Sequence, residues 1–183
     1  MFHHVYALWG MGCFEKDVRK RMGNVVYIQR CNKSIQNLAT NIGMKCWKNE
    51  NRKDIFVEKV IAEIKRSIQN PKVISVHIVA HSYGGLVSSE AARHLTQHPL
   101  AYKLNIITFG SIDIVDPRLV VGIKIKQYMN RGDVALRCNR MSRKGIIWLK
   151  HKKVSNVIDE WKKHMEYPLN ETRDSIIKRL NSR

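Results

Sequence analysis

Residues 73–95 constrain the fold more than any other stretch, because a strand pattern changes there into a helix pattern with almost no loop between them. The run VISVHIV is apolar and rich in β-branched residues, which is typical of a buried strand. The hexapeptide AHSYGG follows at once, and apolar residues then recur at helical spacing (Leu86, Val87, Ala91, Ala92, Leu95). Two elements joined so closely require a sharp turn at Ser82.

Short apolar runs alternate with helical patterns along the rest of the chain. The predicted strands span 5–8, 25–29, 73–79, 104–109, 123–129 and 146–151, and helices are predicted over 34–43, 54–69, 154–165 and 171–181. This alternation indicates an α/β fold with a mostly parallel sheet of about six strands, covered on both faces. No repeat and no Pro/Gly linker interrupts it, so we expect a single domain over residues 1–183.

The charge of the chain bears on its partners. Thirty-three Lys and Arg residues against fifteen Asp and Glu residues give a net charge of +18, and residues 134–158 contain no acidic residue at all. Such a field attracts an anionic membrane surface or another polyanion, although a solvated basic face without a partner is an equal alternative. No zinc-finger spacing, RNA-binding signature or phosphate-binding loop accompanies the charge.

The sequence also bears on where the protein works. No run of about eighteen apolar residues is present, so a transmembrane segment is not expected. The opening sequence MFHHVYALWGMGC has no basic leader, and the four cysteines lack metal-ligand spacing. We therefore expect free thiols in an intracellular, cytoplasmic protein that contacts membranes at most peripherally.

The hexapeptide AHSYGG has the residue types that a nucleophilic serine needs. The Oγ of Ser82 must protrude from a tight turn, and small residues at Ala80 and Gly84 let strand and helix approach each other closely. The stretch resembles the nucleophile elbow of α/β-hydrolases, and HSYGG resembles the lipase and esterase branch in particular. The alternative is an ordinary strand-to-helix connection that contains a serine.

The resemblance implies a catalytic triad whose members occur in the order Ser, Asp or Glu, His, each after a different strand. LNIITFGS resembles the TFGSP-like segment of lipases, and NRGD at 130–133 resembles the acid loop of class 3, fungal-type lipases. The triad carboxylate is therefore expected on Asp133, with a simple turn aspartate as the alternative. Asp113 and Asp116 compete, but they follow the wrong strand for the family topology.

Two histidines compete for the role of base. His164, in KKHMEYP, resembles the H..Y segment of class 3 lipases, and the periodicity of 154–165 turns it inward. His151 ends the last predicted strand but lies between two lysines, which suits a solvated strand end. We favour His164 and keep His151 open.

The resemblance also implies an oxyanion hole made of two backbone N–H groups. One belongs to Tyr83, directly after the serine, and the other to the loop after the first strand. YALWGMG resembles the HG.GG-like loop of lipases with Trp9 in place of the histidine, so Gly10 and Met11 are the candidate donors. A plain glycine-rich turn is the alternative.

Together these resemblances imply a minimal, three-layer α/β-hydrolase-like sandwich and a serine hydrolase of carboxylic esters. The substrate would be a small-molecule or lipid ester, cleaved through an acyl-enzyme without any metal or cofactor. Two rival functions stay open: a catalytically inactive hydrolase fold that serves as a binding scaffold, and a basic nucleic-acid-binding protein whose elbow is coincidental.

Overall fold

The computed structural model describes residues 2–8, 25–31, 55–133 and 145–149. Six strands lie in these segments: β1 Phe2–Leu8, β2 Val25–Cys31, β3 Val73–His81, β4 Leu104–Phe109, β5 Lys124–Asn130 and β6 Ile146–Leu149. Two helices accompany them, α1 Ile55–Gln69 and α2 Tyr83–Leu95, with short 3₁₀ turns at Ala101–Lys103 and Pro117–Leu119. Neither helix has the length and apolar character that crossing a membrane requires.

The six strands form one sheet in the order β2-β1-β3-β4-β5-β6, and every neighbouring pair is parallel. The predicted parallel sheet of about six strands is therefore confirmed. From β1 the chain moves outward to β2, returns past β1 to β3, and then proceeds in the opposite direction across the sheet. The order thus reverses between β1 and β3, and in open parallel sheets ligands bind beyond the carboxyl ends of the strands at such a reversal.

Helices α1 and α2 pack against each other and against β3, and their apolar stripes form the main core with one face of the sheet. Ile64 and Ile68 of α1, one turn apart, are fully buried, as the periodicity of 54–69 predicts. The opposite sheet face is buried as well, since Val5 and Val79 have no exposed surface. Both faces are covered, which is why the strands read as continuous apolar runs.

Two imidazoles and one hydroxyl form a hydrogen-bonded chain at the amino end of the sheet. Nδ1 of His3 and Nε2 of His77 each lie 2.6 Å from Oγ of Ser75. Burial of His77, together with the charges of His3 and Lys124, lowers the pKa of the His77 imidazole to about 4. His77 is therefore a neutral structural residue at pH 7, in accord with its place in a strand.

We expect His77 to make the free energy of unfolding fall between pH 7 and pH 5. The His77 pKa is about 6.5 in an unfolded chain and about 4 in the fold, so the unfolded state binds more protons between these values. The stability contributed by neutral His77 is complete above pH 6.5 and is lost as the pH falls towards 4. Between pH 7 and pH 5 the loss amounts to about 2 kcal/mol.

Urea unfolding at the two pH values measures this loss. In His77→Gln the fall in unfolding free energy should be smaller than in the wild type by about the same 2 kcal/mol. An equal fall in both proteins would assign the pH dependence to other groups.

Candidate active site

The turn between β3 and α2 holds Ser82 in a strained backbone conformation. Its φ is 54° and its ψ is −120°, and among the described residues no other non-glycine residue has a positive φ. Two hydrogen bonds fix the turn: the Ser82 N–H donates to the Phe109 carbonyl (3.1 Å), and the Gly85 N–H donates to the Ser82 carbonyl (3.0 Å). Such a conformation costs about 1–3 kcal/mol and persists only where surrounding structure enforces it. The predicted sharp turn at Ser82 is confirmed.

The two glycines after the turn are needed because other backbone passes close to them. A Cβ placed on Gly84 would lie 2.8 Å from the carbonyl oxygen of Leu8, and one on Gly85 would lie 2.9 Å from Cα of Ser111. Ala80, on the other side of the serine, is fully buried. The predicted need for small residues is confirmed, and it holds the start of α2 against the carboxyl end of β1.

Ser82 is more enclosed than the sequence predicts. A protruding hydroxyl was expected, but the residue is only 1% exposed and the following Tyr83 only 3% exposed. Burial lowers the local dielectric constant, which strengthens charge–dipole interactions at this point. The first turn of α2 adds partial positive charge from its N–H groups. The environment therefore favours a negative charge that develops beside Ser82, provided that a substrate can enter.

Asp133 lies in a tight turn just beyond the carboxyl end of β5. Its N–H donates to the carbonyl of Asn130 (3.2 Å), and Gly132 supplies the positive φ of 82° that this turn requires. The residue is 2% exposed. Strand β4 alone separates β3, which precedes Ser82, from β5, which precedes Asp133. The axes of β3 and β5 are therefore about 10 Å apart. One imidazole and the side chains on either side of it can span such a gap.

The two competing carboxylates are engaged in ion pairs. Oδ2 of Asp113 lies 2.6 Å from the guanidinium of Arg93. Asp116 binds the guanidinium of Arg118 through both carboxylate oxygens and also accepts a hydrogen bond from the Arg118 backbone N–H. Their contacts are those of structural residues that shape the loop after β4.

A buried glutamine, to which the sequence analysis assigns no role, fastens this loop. The side chain of Gln127 donates to the Val115 carbonyl (2.7 Å) and accepts from the Val115 N–H (2.8 Å). The hydroxyl of Ser89 in α2 also donates to the Asp113 carbonyl (3.1 Å). The loop is thus tied to both β5 and α2, next to the strand end whose Phe109 carbonyl holds Ser82. The sequence signal that could have revealed this role is a polar residue, Gln127, at a core-facing position of β5.

The remaining predicted site residues, Gly10, Met11, His151 and His164, lie outside the described residues, and their roles stay predictions. Leu8, the last described residue before the candidate oxyanion loop, lies close to Gly84 at the start of α2. Within the described segments, no three His, Cys, Asp or Glu side chains form a metal-binding group.

Residues 15–138 match the protein family described as lipase (class 3). The matched range is more than half of the chain and includes Ser82 and Asp133, but it ends before both candidate histidines. A search of curated proteins found no match.

Two solved structures illustrate the similarity of fold. A Xanthomonas campestris pv. campestris protein classed as a hydrolase of the alpha/beta superfamily superposes with a TM-score of 0.54 at 10% identity, over 100% of both chains. A Klebsiella pneumoniae subsp. pneumoniae protein classed as a dienelactone hydrolase gives a TM-score of 0.49 at 8% identity, over 97% of this chain and 84% of its own. At such identities the first of these establishes the α/β-hydrolase fold and nothing finer.

Proposed function

The chain belongs to the class 3 lipase family, and from this premise we propose that it is a serine hydrolase that cleaves carboxylic esters, most naturally lipid or acyl esters. The observation that carries the proposal is the backbone of Ser82, with φ 54° and ψ −120° between a buried strand and a helix. A non-glycine residue is held in such a conformation when its side chain is needed at that place. Its position beside the reversal in strand order supports the same conclusion.

In the proposed mechanism, Oγ of Ser82 attacks the acyl carbonyl while the imidazole of His164 takes its proton. The N–H of Tyr83 and that of Gly10 or Met11 bind the oxyanion that forms. The imidazolium then returns the proton to the departing alcohol, which leaves an acyl-enzyme. Water attacks the acyl-enzyme with the same imidazole as base, releasing the acid and restoring the Ser82 hydroxyl. His151 is the alternative base.

Asp133 is proposed to hold the imidazole in the right tautomer and to stabilise the imidazolium. Two features support this choice: its burial and its place after β5.

A fluorophosphonate probe tests the proposal, because it reacts covalently with activated serines. The wild-type protein should be labelled, and Ser82→Ala should not. Ser75→Ala is a matched control, since Ser75 lies on the same strand, 2.6 Å from an imidazole nitrogen, but at the opposite end of the sheet. That variant should be labelled like the wild type.

Two results would count against the assignment. If the folded wild-type protein remains unlabelled, Ser82 is not an activated nucleophile. The alternative of an inactive hydrolase fold that serves as a binding scaffold is then favoured. If Ser82→Ala is labelled as strongly as the wild type, another serine is the reactive one.

We also propose that the substrate is met at an anionic lipid surface. The net charge of +18 supports this, since each basic residue near an anionic leaflet contributes about 1 kcal/mol of attraction. Most of the acid-free segment 134–158 lies outside the described residues. Arg131, shortly before this segment, and Trp148, within it, are described and permit a more specific inference.

A further inference from the structure

An exposed tryptophan lies at the same edge of the sheet as Ser82. The sheet register aligns one row across β3 to β6, namely His81, Phe109, Tyr128 and Ile147. Ser82 comes directly after His81 at the end of β3, and Trp148 comes directly after Ile147 on β6. The two residues are therefore at the same height, three strand spacings or about 14 Å apart.

Trp148 carries a cation on its ring. The guanidinium carbon of Arg131, which follows β5 directly, lies 5.7 Å from the centroid of the indole. Arg131 is exposed, and Trp148 keeps 37% of its surface exposed although it is the largest apolar residue type. Ile147, on the other side of the same strand, is 38% exposed. An exposed cation–π contact contributes only about 0.5–1 kcal/mol, which does not by itself account for leaving an indole in water.

We propose that Arg131 and Trp148 form a docking surface for anionic phospholipid bilayers. The indole, apolar with one N–H donor, suits the boundary between headgroups and acyl chains. The Arg131 guanidinium over the ring can use its N–H donors for bidentate hydrogen bonds to a lipid phosphate. The purpose of this surface depends on the function proposed above, because it brings the site to its ester substrate.

A bilayer fits this pair better than a protein partner does. A stable protein interface needs roughly 1,000 Å² of complementary surface, whereas the exposed apolar residues at this edge, within the described segments, are Ile147 and Trp148. A shallow anchor of one aromatic and one arginine is sufficient for a membrane when the whole protein is attracted to it. The net charge of +18 supplies that attraction.

The position of the pair also matters for access to the site. Strand β3 has nine residues, so the amino edge of the sheet is about 30 Å from the carboxyl edge. Docking through the exposed Tyr102, Leu119 and Val121, which lie near the amino edge, would turn Ser82 away from the lipid. Docking through Arg131 and Trp148 places the edge that carries Ser82 against it.

Binding to vesicles tests the inference. With vesicles of phosphatidylcholine and phosphatidylserine, Trp148→Ala should lower the partition coefficient about tenfold, and Arg131→Gln should lower it about fivefold. The partition coefficient of Arg131→Lys should lie between those of Arg131→Gln and the wild type, because lysine keeps the charge but loses bidentate binding. Co-sedimentation measures the binding, and phosphatidylcholine vesicles alone should bind the wild-type protein more weakly.

Matched controls come from the opposite edge. Tyr102→Ala removes an aromatic residue that is more exposed than Trp148, at 61%, and Lys72→Gln removes an exposed cation before β3. Both should bind vesicles like the wild type. The inference is overturned if these controls lose as much binding as the Arg131 and Trp148 variants, or if those variants bind as the wild type does.

Hydrolysis separates this inference from the proposed catalysis. Trp148→Ala should hydrolyse a soluble short p-nitrophenyl ester within about twofold of the wild-type rate, since Trp148 takes no part in the proposed chemistry. Ser82→Ala should bind vesicles normally and hydrolyse nothing. Vesicle binding could depend on Arg131 and Trp148 while neither the wild-type protein nor any variant hydrolyses esters. In that case the docking surface is supported and the catalytic proposal fails.

Discussion

Replacing Ser82 by alanine is expected to lower kcat for a soluble p-nitrophenyl ester by about a million-fold. The magnitude follows from the loss of the nucleophile, after which neither the imidazole nor the oxyanion hole has a covalent step to promote. Initial rates measured against enzyme-free controls give the ratio. A variant that keeps more than about a hundredth of the wild-type kcat would show that Ser82 is not the nucleophile.

Backbone strain at Ser82 should also lower the free energy of unfolding. Glycine adopts a φ of 54° without strain and alanine does not, so Ser82→Gly should unfold with a free energy about 1 kcal/mol higher than Ser82→Ala. Ser88, within α2, is the matched control because glycine there lowers helix stability by about 1 kcal/mol relative to alanine. The order of stability should therefore reverse between the two sites. If the glycine and alanine variants have the same order of stability at Ser82 and at Ser88, the argument from backbone strain at Ser82 fails.

Asp133→Asn is expected to give the second largest effect, a fall in kcat of about 10⁴-fold. Asparagine keeps the size of the side chain but removes the charge proposed to stabilise the imidazolium, and its NH2 group can donate to the imidazole and so favour the wrong tautomer. The pH profile should change too, because a histidine without its carboxylate partner is a weaker base. Steady-state kinetics from pH 5 to pH 9 measure both changes.

The neighbouring aspartates provide the comparison. Asp113→Asn and Asp116→Asn should lose their ion pairs with Arg93 and Arg118 and so lower the free energy of unfolding. Their kcat values should stay within about tenfold of the wild type, since the altered contacts only shape the loop after β4. If Asp113→Asn or Asp116→Asn loses as much activity as Asp133→Asn, the acid has been assigned to the wrong residue.

Much of the sheet could be predicted because buried parallel strands read as apolar runs. Strand β4 matches its predicted range, and α1 begins one residue after the predicted start at 54. Strand β1 begins three residues earlier than expected, since His3 and His4 interrupt the apolar pattern. Their imidazoles bind Ser75 and Ser67, partners more than sixty residues away that no local pattern reveals.

The order of the strands and the burial of the site could not be predicted in the same way. The sequence gives no sign that β2 lies outside β1, because that placement depends on how long connections pack. The turn at Ser82 followed from neighbouring residues alone, namely Ala80, Gly84 and Gly85. Its enclosure, by contrast, depends on tertiary packing, as do the two hydrogen bonds of Gln127 to Val115. Asp133 could be proposed from its motif, but the arginine pairs of its rivals required the fold.

The alignment of β1 with β3 has a consequence for how the protein folds. His3 pairs with Ser75, 72 residues further along the chain, so β1 reaches its place beside β3 only after a long stretch of chain has closed on itself. Closing a loop of that length costs about 4 kcal/mol in chain entropy, and this cost must be met before native contacts can offset it. Topologies dominated by such distant pairings fold slowly. A newly synthesised chain should therefore complete the surroundings of Ser82 late, after α1 and α2 can already form.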